Sequence, residues 1–474
     1  MTLPAKFVER VLRDLGGTEG AALCAALDAE PPVSVRLNPA KTGAETVSAG
    51  PDAGLPVPEA AGLPALAIAG RVPWSRDGRY LAVRPSFTLD PDFHAGAYYG
   101  QEASSQFVGH LLAAVRTEGA RILDLCAAPG GKTTLYASLA GPDGLVVANE
   151  IDRRRASVLA DNVRKWGTGN VAVTTCEPRA LGDFEAWFDV VAVDAPCSGE
   201  GMFRKDPDAR GEWSEGNVKQ CAARQDEILR EAWRALRPGG TLVYSTCTFN
   251  RDEDEGALER MAAWAGDEIA ESEETAVEDA WGIVCGRVGA FRTFRFYPHR
   301  TCGEGFFAAV ARKSFDAGGR VRAPKARRTV FAAVDRKTAG ELARWVRNPG
   351  GMRFAAVADT CYAWYAAQAD AVRTLSEALP VIYSGVALGQ VFKGVLKPDP
   401  ALAFFDGMNR GALPAAELDD EETLRFLRRQ DIAAGGLAEG MNLVCSRGRA
   451  LGFAKRIGAR VNNLYPNSLR IIKQ

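Results

Sequence analysis

Residues 120–141 read ARILDLCAAPGGKTTLYASLAG. A short apolar run ends around Asp124 and Cys126, passes through the turn Gly130–Gly131, and continues with helical spacing. A strand that feeds a helix through glycines starts a βαβ unit, and open sheets built from such units bind ligands outside the carboxyl ends of their strands. The alternation continues outward. GLVVANE (144–150) precedes the helical RRRASVLADNVRKWG (153–167), and NVAVTTC (170–176) and FDVVAVDAPC (188–197) follow. A long helical pattern, CAARQDEILREAWRAL, then leads into RPGGTLVYSTCT (237–248). Short β-branched runs separated by helical stretches predict an α/β fold with a mostly parallel sheet covered on both faces.

The turn excludes two kinds of ligand. A phosphate-binding P-loop needs glycine where Cys126 stands, and the Gly-x-Gly-x-x-Gly dinucleotide pattern is absent. What remains is a backbone that a ligand can approach closely, with Asp124 before it. Glu150 ends the next strand, where a carboxylate can accept hydrogen bonds from both hydroxyls of a ribose. Together they point to a nucleoside cofactor without a pyrophosphate. The competing reading is a structural turn and a surface glutamate.

At 474 residues, 47% hydrophobic and 25% charged, the chain is long enough for several domains with ordinary cores. It has no run of about 18 uncharged apolar residues, so no membrane span is expected. The opening MTLPAKFVERVLRDLGG is amphipathic and lacks the apolar region of a signal peptide, so a cytoplasmic location is expected. Ten cysteines include no C-x-x-C pair and there are three histidines, so neither a metal site nor a disulfide framework is expected. The net charge of −1 hides an asymmetry: residues 314–474 hold 24 basic against 15 acidic side chains, the rest 34 against 44. Such an excess suggests a polyanion partner, with solvated charged faces as the alternative. The basic stretch RVRAPKARRTVFAAVDRK (320–337) reads as a linker into a smaller domain, and glycine-rich strand-like pieces beyond about 385 read as a β-rich module.

FDVVAVD and TLVYST are both apolar strands, and each runs into a cysteine, Cys197 and Cys247. A buried cysteine is usually a small apolar filler. Two thiols at strand ends beside a cofactor site suggest instead covalent chemistry, with one as nucleophile and the other handling a proton.

LDLCAAPGGKT (123–133), NEIDRRRASVLADNVRKWG (149–167), DAPCSGEGMFRKDP (194–207) and STCTFN (245–250) together resemble the Nop/Sun-type RNA cytosine carbon-5 methyltransferase family. SVRLNP (34–39) and HAGAYYGQEASSQ (94–106) extend the likeness beyond the core. The tail LGFAKRIGARVNNLYPNSLRI is similar to the PUA-like RNA-binding module of members acting on small-subunit ribosomal RNA. The resemblance implies a Rossmann-like class I methyltransferase core over 96–313, behind an N-terminal α+β RNA-binding subdomain over 1–95. It implies a small linker domain over 314–385 and a PUA-like domain over 386–474. The implied cofactor is S-adenosyl-L-methionine, held by Cys126, Ala127, Ala128, Pro129, Gly130, Gly131, Lys132, Glu150 and Asp194. Either Cys176 or Glu177 would read the adenine amino group; Glu177 is favoured because a carboxylate accepts that hydrogen bond better than a thiol.

By the same resemblance Cys247 is the nucleophile that adds to carbon 6 of cytosine, and Cys197 assists release of the product. Asp194, with a raised pKa, would donate to nitrogen 3, and Lys132 would contact cofactor or base and favour thiolate. Arg204 and Lys205 read either as phosphate contacts or as a solvated basic pair. The implied partner is 16S ribosomal RNA, within the small subunit, bound by a monomer without metal or membrane. Two rivals stand beside this reading. One is the same core acting on transfer RNA or DNA, where DNA enzymes place the nucleophile in a Pro-Cys motif that Cys197 fits. The other is a non-catalytic RNA-binding assembly factor, which would be expected to lose a thiol or the glycine turn.

Overall fold

The computed structural model describes residues 2–43 and 63–472, so the middle of the Pro-, Gly- and Ala-rich N-terminal stretch lies outside the described residues. The central sheet is built from β1 (Arg121–Asp124), β2 (Leu145–Asn149), β3 (Val171–Thr174), β4 (Phe188–Asp194) and β5 (Leu236–Thr246). It is completed by β6 (Ile269–Ala270), β7 (Val284–Val288), β8 (Phe291–Phe296), β9 (Phe306–Lys313) and β10 (Val381–Ser384). Among the described residues the order is β7-β8-β9-β5-β4-β1-β2-β3-β10, with β6 paired to β9. The five strands from β5 to β3 run parallel, as their helical crossovers require. β9 and β10 join the two sides of this block antiparallel.

Both faces of the parallel strands are buried because helices cover both, which is why β2 and β3 read as unbroken apolar runs. Alternate residues point to opposite cores. Ile122 and Val146 pack with Leu135 of α1 (Gly131–Ala140) and Leu159 of α2 (Arg153–Trp166). Leu123 and Val147 pack with Leu229 of α3 (Glu215–Ala235) and Leu258 of α4 (Glu255–Ala265). Asp152 starts α2 by accepting hydrogen bonds from the Arg154 and Arg155 amides, and Gly167, at φ +86°, ends it. The strand order reverses between β1 and β4, so a crevice opens at their carboxyl ends, where Asp124 and Asp194 stand.

The N-terminal part forms two helices, Ala5–Leu15 and Gly17–Leu27, and a small sheet containing Val33–Leu37. From that strand the buried Arg36 reaches into the core. Its guanidinium donates to Gln101 Oε1 at 2.7 Å, Gly131 O at 3.0 Å and Thr134 Oγ1 at 2.5 Å, and lies 4.5 Å over the Trp166 ring. SVRLNP is therefore the bolt between the first domain and the glycine turn.

After β9 the basic linker runs along the core, and Arg328 donates to Leu379 O at 2.7 Å, just past the end of helix Ala369–Ala378. A five-stranded sheet then spans Ala332 to Pro398. The boundary expected at 385/386 falls inside this sheet. Gly385, at φ +59°, turns the chain from β10 of the central sheet directly into strand Val386–Phe392 of the next, so its glycine signals a sheet change rather than a new domain. The last sheet comprises Ala415–Glu417, Gly440–Ser446, Arg449–Ile457 and Arg460–Asn463. Its Arg447 and Arg449 clamp the buried Asp92 of the N-terminal part at 2.9 and 2.8 Å. Part of the C-terminal positive excess is thus neutralised within the protein. Among the described residues no helix is long and apolar enough to cross a membrane, and no group of three or more His, Cys, Asp or Glu could hold a metal ion.

Candidate active site

β4 and β5 are adjacent parallel strands in which Asp194 lies beside Ser245. Their continuations therefore leave the sheet side by side, and the Cys197 and Cys247 sulfurs come to 3.3 Å. The Cys247 amide donates to Cys197 Sγ at 3.4 Å, and both residues are half-buried. The hydrogen bond with Cys247, and then burial, push the Cys197 thiol well above its ordinary value, so Cys197 holds its proton.

Asp194 is held at both oxygens. Ser245 Oγ donates to Oδ1 at 2.8 Å, and Lys132 Nζ pairs with Oδ2 at 2.8 Å. Burial alone would lower the Lys132 pKa, but the Asp194 charge and hydrogen bond, with Cys247 behind them, raise it overall. The ammonium also sits 5.2 Å over the Phe306 ring. This arrangement differs from the sequence expectation that Asp194 carries a proton to the substrate. Asp194 is engaged by two partners, the Ser245 hydroxyl and the Lys132 ammonium.

A buried polar network, which the sequence reading missed, locks the two cysteine loops together. Glu253 Oε2 accepts from the Ser198 amide and from Gln225 Nε2, both at 2.9 Å, and Gln225 also donates to Pro196 O at 3.0 Å. Asn250 donates to Glu253 Oε1 and Thr248 Oγ1, each at 2.7 Å. Glu200 Oε2 accepts from the Phe249 amide at 3.0 Å, and the Gly201 amide donates to Cys247 O at 2.9 Å. Two buried glutamates inside polar loops look like surface residues in a sequence; only their place within the DAPCSGE and STCTFN motifs hinted otherwise.

The turn from Cys126 to Gly131 lies at the mouth of the same crevice. The Ala127 amide donates to Asn149 O at 2.8 Å, the Ala128–Pro129 peptide is cis, and Gly130 adopts φ +112°. A Cβ on Gly130 would meet the Leu159 side chain at 3.0 Å, so the close approach of the turn to α2 and the positive φ together call for glycine. Burial pushes the Cys126 thiol far up. Asp124, buried beneath, accepts from Thr133 Oγ1 at 2.6 Å, and burial pushes its carboxyl up to about 7. Glu150 accepts from the Asp152 amide at 3.0 Å and pairs with Arg155 at 3.2 Å, and Arg155 also donates to Ala128 O at 3.1 Å. A bare glycine turn beside a strand-end carboxylate fits an adenosyl group.

Glu177 stands at the N-terminal end of helix Pro178–Gly182. It is exposed, and its carboxylate has no partner among the described residues. Cys176 turns inward: its amide and thiol donate to Asn149 Oδ1 at 3.2 and 3.3 Å, and burial pushes the thiol up to about 12. Arg204 pairs with Glu304 at 3.0 Å, both side chains 6% exposed, which removes it from the surface; Lys205 is exposed.

A family model described as 16S rRNA methyltransferase RsmB/F matches residues 111–312. Models of the N-terminal domain and of the PUA domain of RsmF match residues 3–103 and 414–471. Ribosomal RNA small subunit methyltransferase F of Shewanella loihica is 31% identical over 418 residues, covering 84% of this chain and 83% of that one. The protein of the same name from Escherichia coli strain SE11 is 32% identical over 424 residues, covering 84% of each chain. Among solved structures, a methyltransferase homologue from Pyrococcus horikoshii superposes with a TM-score of 0.51 at 26% identity, over 66% of this chain and all of that one. NSun6 from the same organism, determined with the S-adenosylmethionine analogue SFG, shares the fold at 22% identity and a TM-score of 0.50, over 65% and 98% of the two chains. The cofactor of this family is S-adenosylmethionine. From sequence identity across most of its length and a matching set of three domain models, the chain belongs to the RsmB/F family of 16S ribosomal RNA methyltransferases.

Proposed function

We propose that this enzyme methylates carbon 5 of cytosine in 16S ribosomal RNA through a covalent bond between Cys247 and the base. The observation that carries the reading is the pair of thiols 3.3 Å apart at the ends of adjacent strands, beside a glycine turn and strand-end carboxylate suited to a nucleoside. Carbon 5 of cytosine is a poor nucleophile until something adds to carbon 6, and a soft thiolate suits that addition. Cys247 forms the carbon 6–sulfur bond, and the electron pair of the ring double bond moves toward nitrogen 3. Lys132, oriented by Asp194, supplies the positive charge and hydrogen bond for that density, which makes Asp194 a positioning residue. Bound S-adenosylmethionine supplies the methyl group. Residues 126–132, Glu150, Asp194 and the 176–177 step would hold it.

Release reverses the addition. The carbon 5 proton leaves, the carbon 6–sulfur bond breaks, and the double bond re-forms. Cys197 passes its proton to the departing Cys247 sulfur and, as thiolate, accepts the one from carbon 5. The PUA and N-terminal domains would bind the surrounding RNA, with a monomer acting in the cytoplasm. The test is methyl transfer to small ribosomal subunits, naked 16S RNA, transfer RNA and DNA, mapped by bisulfite sequencing. A modified cytosine in small-subunit RNA is expected. Transfer confined to transfer RNA or DNA, or none by a folded protein that binds cofactor, would overturn the proposal.

A further inference from the structure

The basic stretch 320–337 holds seven Lys and Arg against one acid, Asp335. Asp335 caps helix Arg336–Ala343 by accepting from the Thr338 amide at 2.7 Å. Among the described residues none of the seven cations forms an ion pair with a carboxylate, in contrast to the clamp of Arg447 on Asp92. Where the stretch ends, Lys337 lies against the tip of a β-hairpin. A Cβ on Gly394 of that tip would meet Lys337 Cε at 3.3 Å and Nζ at 3.5 Å.

The hairpin joins strands Val386–Phe392 and Val395–Pro398 at the edge of the five-stranded sheet. Its turn is Lys393 and Gly394, both left-handed at φ +51° and +80°, the geometry that matches the twist of the paired strands. The register is unbroken to the tip: Gln390 faces Lys397, Val391 faces Leu396, and Phe392 faces Val395. Strand period then sorts the side chains. Leu396 is buried in the domain's core with Val391 packed against it. Phe392 and Val395 fall on the opposite face, 71% and 66% exposed, with the exposed Gln390 and Lys397 behind them. Lys393 Nζ lies 5.4 Å from the centre of the Phe392 ring. Lys393 and Lys397, like Lys337, form no ion pair among the described residues. The register of the next strand brings one carboxylate, Asp359, to this end of the sheet, against three ammonium groups.

Exposed hydrophobic residues scattered singly are ordinary. Here an aromatic and an aliphatic side chain are paired across a short rigid tip with three lysines around them. An accessible ring face among unneutralised cations has the chemistry of an unpaired nucleotide's complement: the base stacks on the ring and the phosphates meet the ammonium groups. We infer that this tip is an RNA-contacting finger, on which an unpaired base of the substrate RNA stacks against Phe392 while Lys337, Lys393 and Lys397 contact the flanking phosphates. The inference rests on the RNA substrate proposed above, and it adds a contact from the domain between the core and the PUA domain. Stacking is indifferent to base identity, so the finger supplies affinity and position rather than sequence readout.

The test is binding of naked 16S ribosomal RNA and of small ribosomal subunits to the full-length protein, by filter retention across a salt series. Phe392→Ala should weaken binding to naked RNA about tenfold, the scale of one stacked base, and Phe392→Trp should bind like the wild type. Lys337→Ala, Lys393→Ala and Lys397→Ala combined should reduce the slope of log affinity against log salt by about 2. Unchanged affinity in Phe392→Ala, or a slope that the lysine variant does not move, overturns the inference. Lost affinity for subunits with full affinity for naked RNA also overturns it, by giving the tip to a ribosomal protein. Should a variant fail to fold, the wild type is crosslinked to 16S RNA carrying 4-thiouridine and digested for mass spectrometry. A nucleotide adduct within residues 392–397 supports the finger, and adducts confined to other segments overturn it. Binding is scored without methyl transfer, so loss of the cytosine chemistry would leave the finger standing, and the reverse.

Discussion

The Cys197 sulfur lies 3.3 Å from the Cys247 sulfur and accepts a hydrogen bond from the Cys247 amide. The two residues are fifty positions apart, and their meeting depends on β4 and β5 being neighbours. In the proposed mechanism the protonated Cys197 thiol and the neighbouring Cys247 take two different roles.

Replacement of Cys247 by alanine removes the proposed nucleophile. Methyl transfer should fall by at least about a thousandfold, while S-adenosylmethionine affinity, measured by calorimetry, changes less than about threefold. Substantial residual transfer would assign the nucleophile elsewhere.

Cys197→Ala leaves addition intact and blocks release. The expected outcome is a protein–RNA adduct, seen as a slow band in a denaturing gel and absent from the Cys247→Ala, Cys197→Ala double variant. Free turnover without adduct would rule out the release role.

Lys132→Met and Asp194→Asn remove the two ends of one ion pair of 2.8 Å. Each should lower kcat by about a hundredfold, the scale of a positioned acid–base group. The double variant should cost little more than either single one, because Asp194 acts through Lys132. Additive losses would show that the two act independently.

Asp124 gives a pH signature. Burial raises its pKa to about 7, so the native state keeps a proton that the unfolded chain has released at lower pH. Its stabilising contribution is therefore complete below about pH 4 and lost as the pH rises through about 7. Asp124→Asn should gain on the wild type between pH 5 and pH 8 by about 2 kcal/mol, read from urea midpoints. A constant gap across that range would mean the carboxyl is ionised throughout.

Arg36→Met strips three acceptors of their donor and uncouples the N-terminal sheet from the glycine turn. A loss of about 3 kcal/mol in urea unfolding is expected, with weaker cofactor binding because Gly131 is one of the three.

What could be read from the chain alone was local. Alternating strand and helix periods, the Gly130–Gly131 turn and strands running into Cys197 and Cys247 are written within windows of a dozen residues, because backbone sterics and side-chain periodicity act over that range. The family motifs carried the reading to the RNA methyltransferase family and its cofactor. Tertiary structure decided the rest, where partners lie far apart in the chain. It paired Lys132 with Asp194 across sixty-two positions. It buried Glu200 and Glu253 between loops that a sequence shows only as polar. It paired Arg204 with Glu304 a hundred residues later, and added Val381–Ser384 to a sheet begun at Arg121. Sequence period sets which face of an element is apolar; which distant charge it meets depends on strand order and register, which no local pattern encodes.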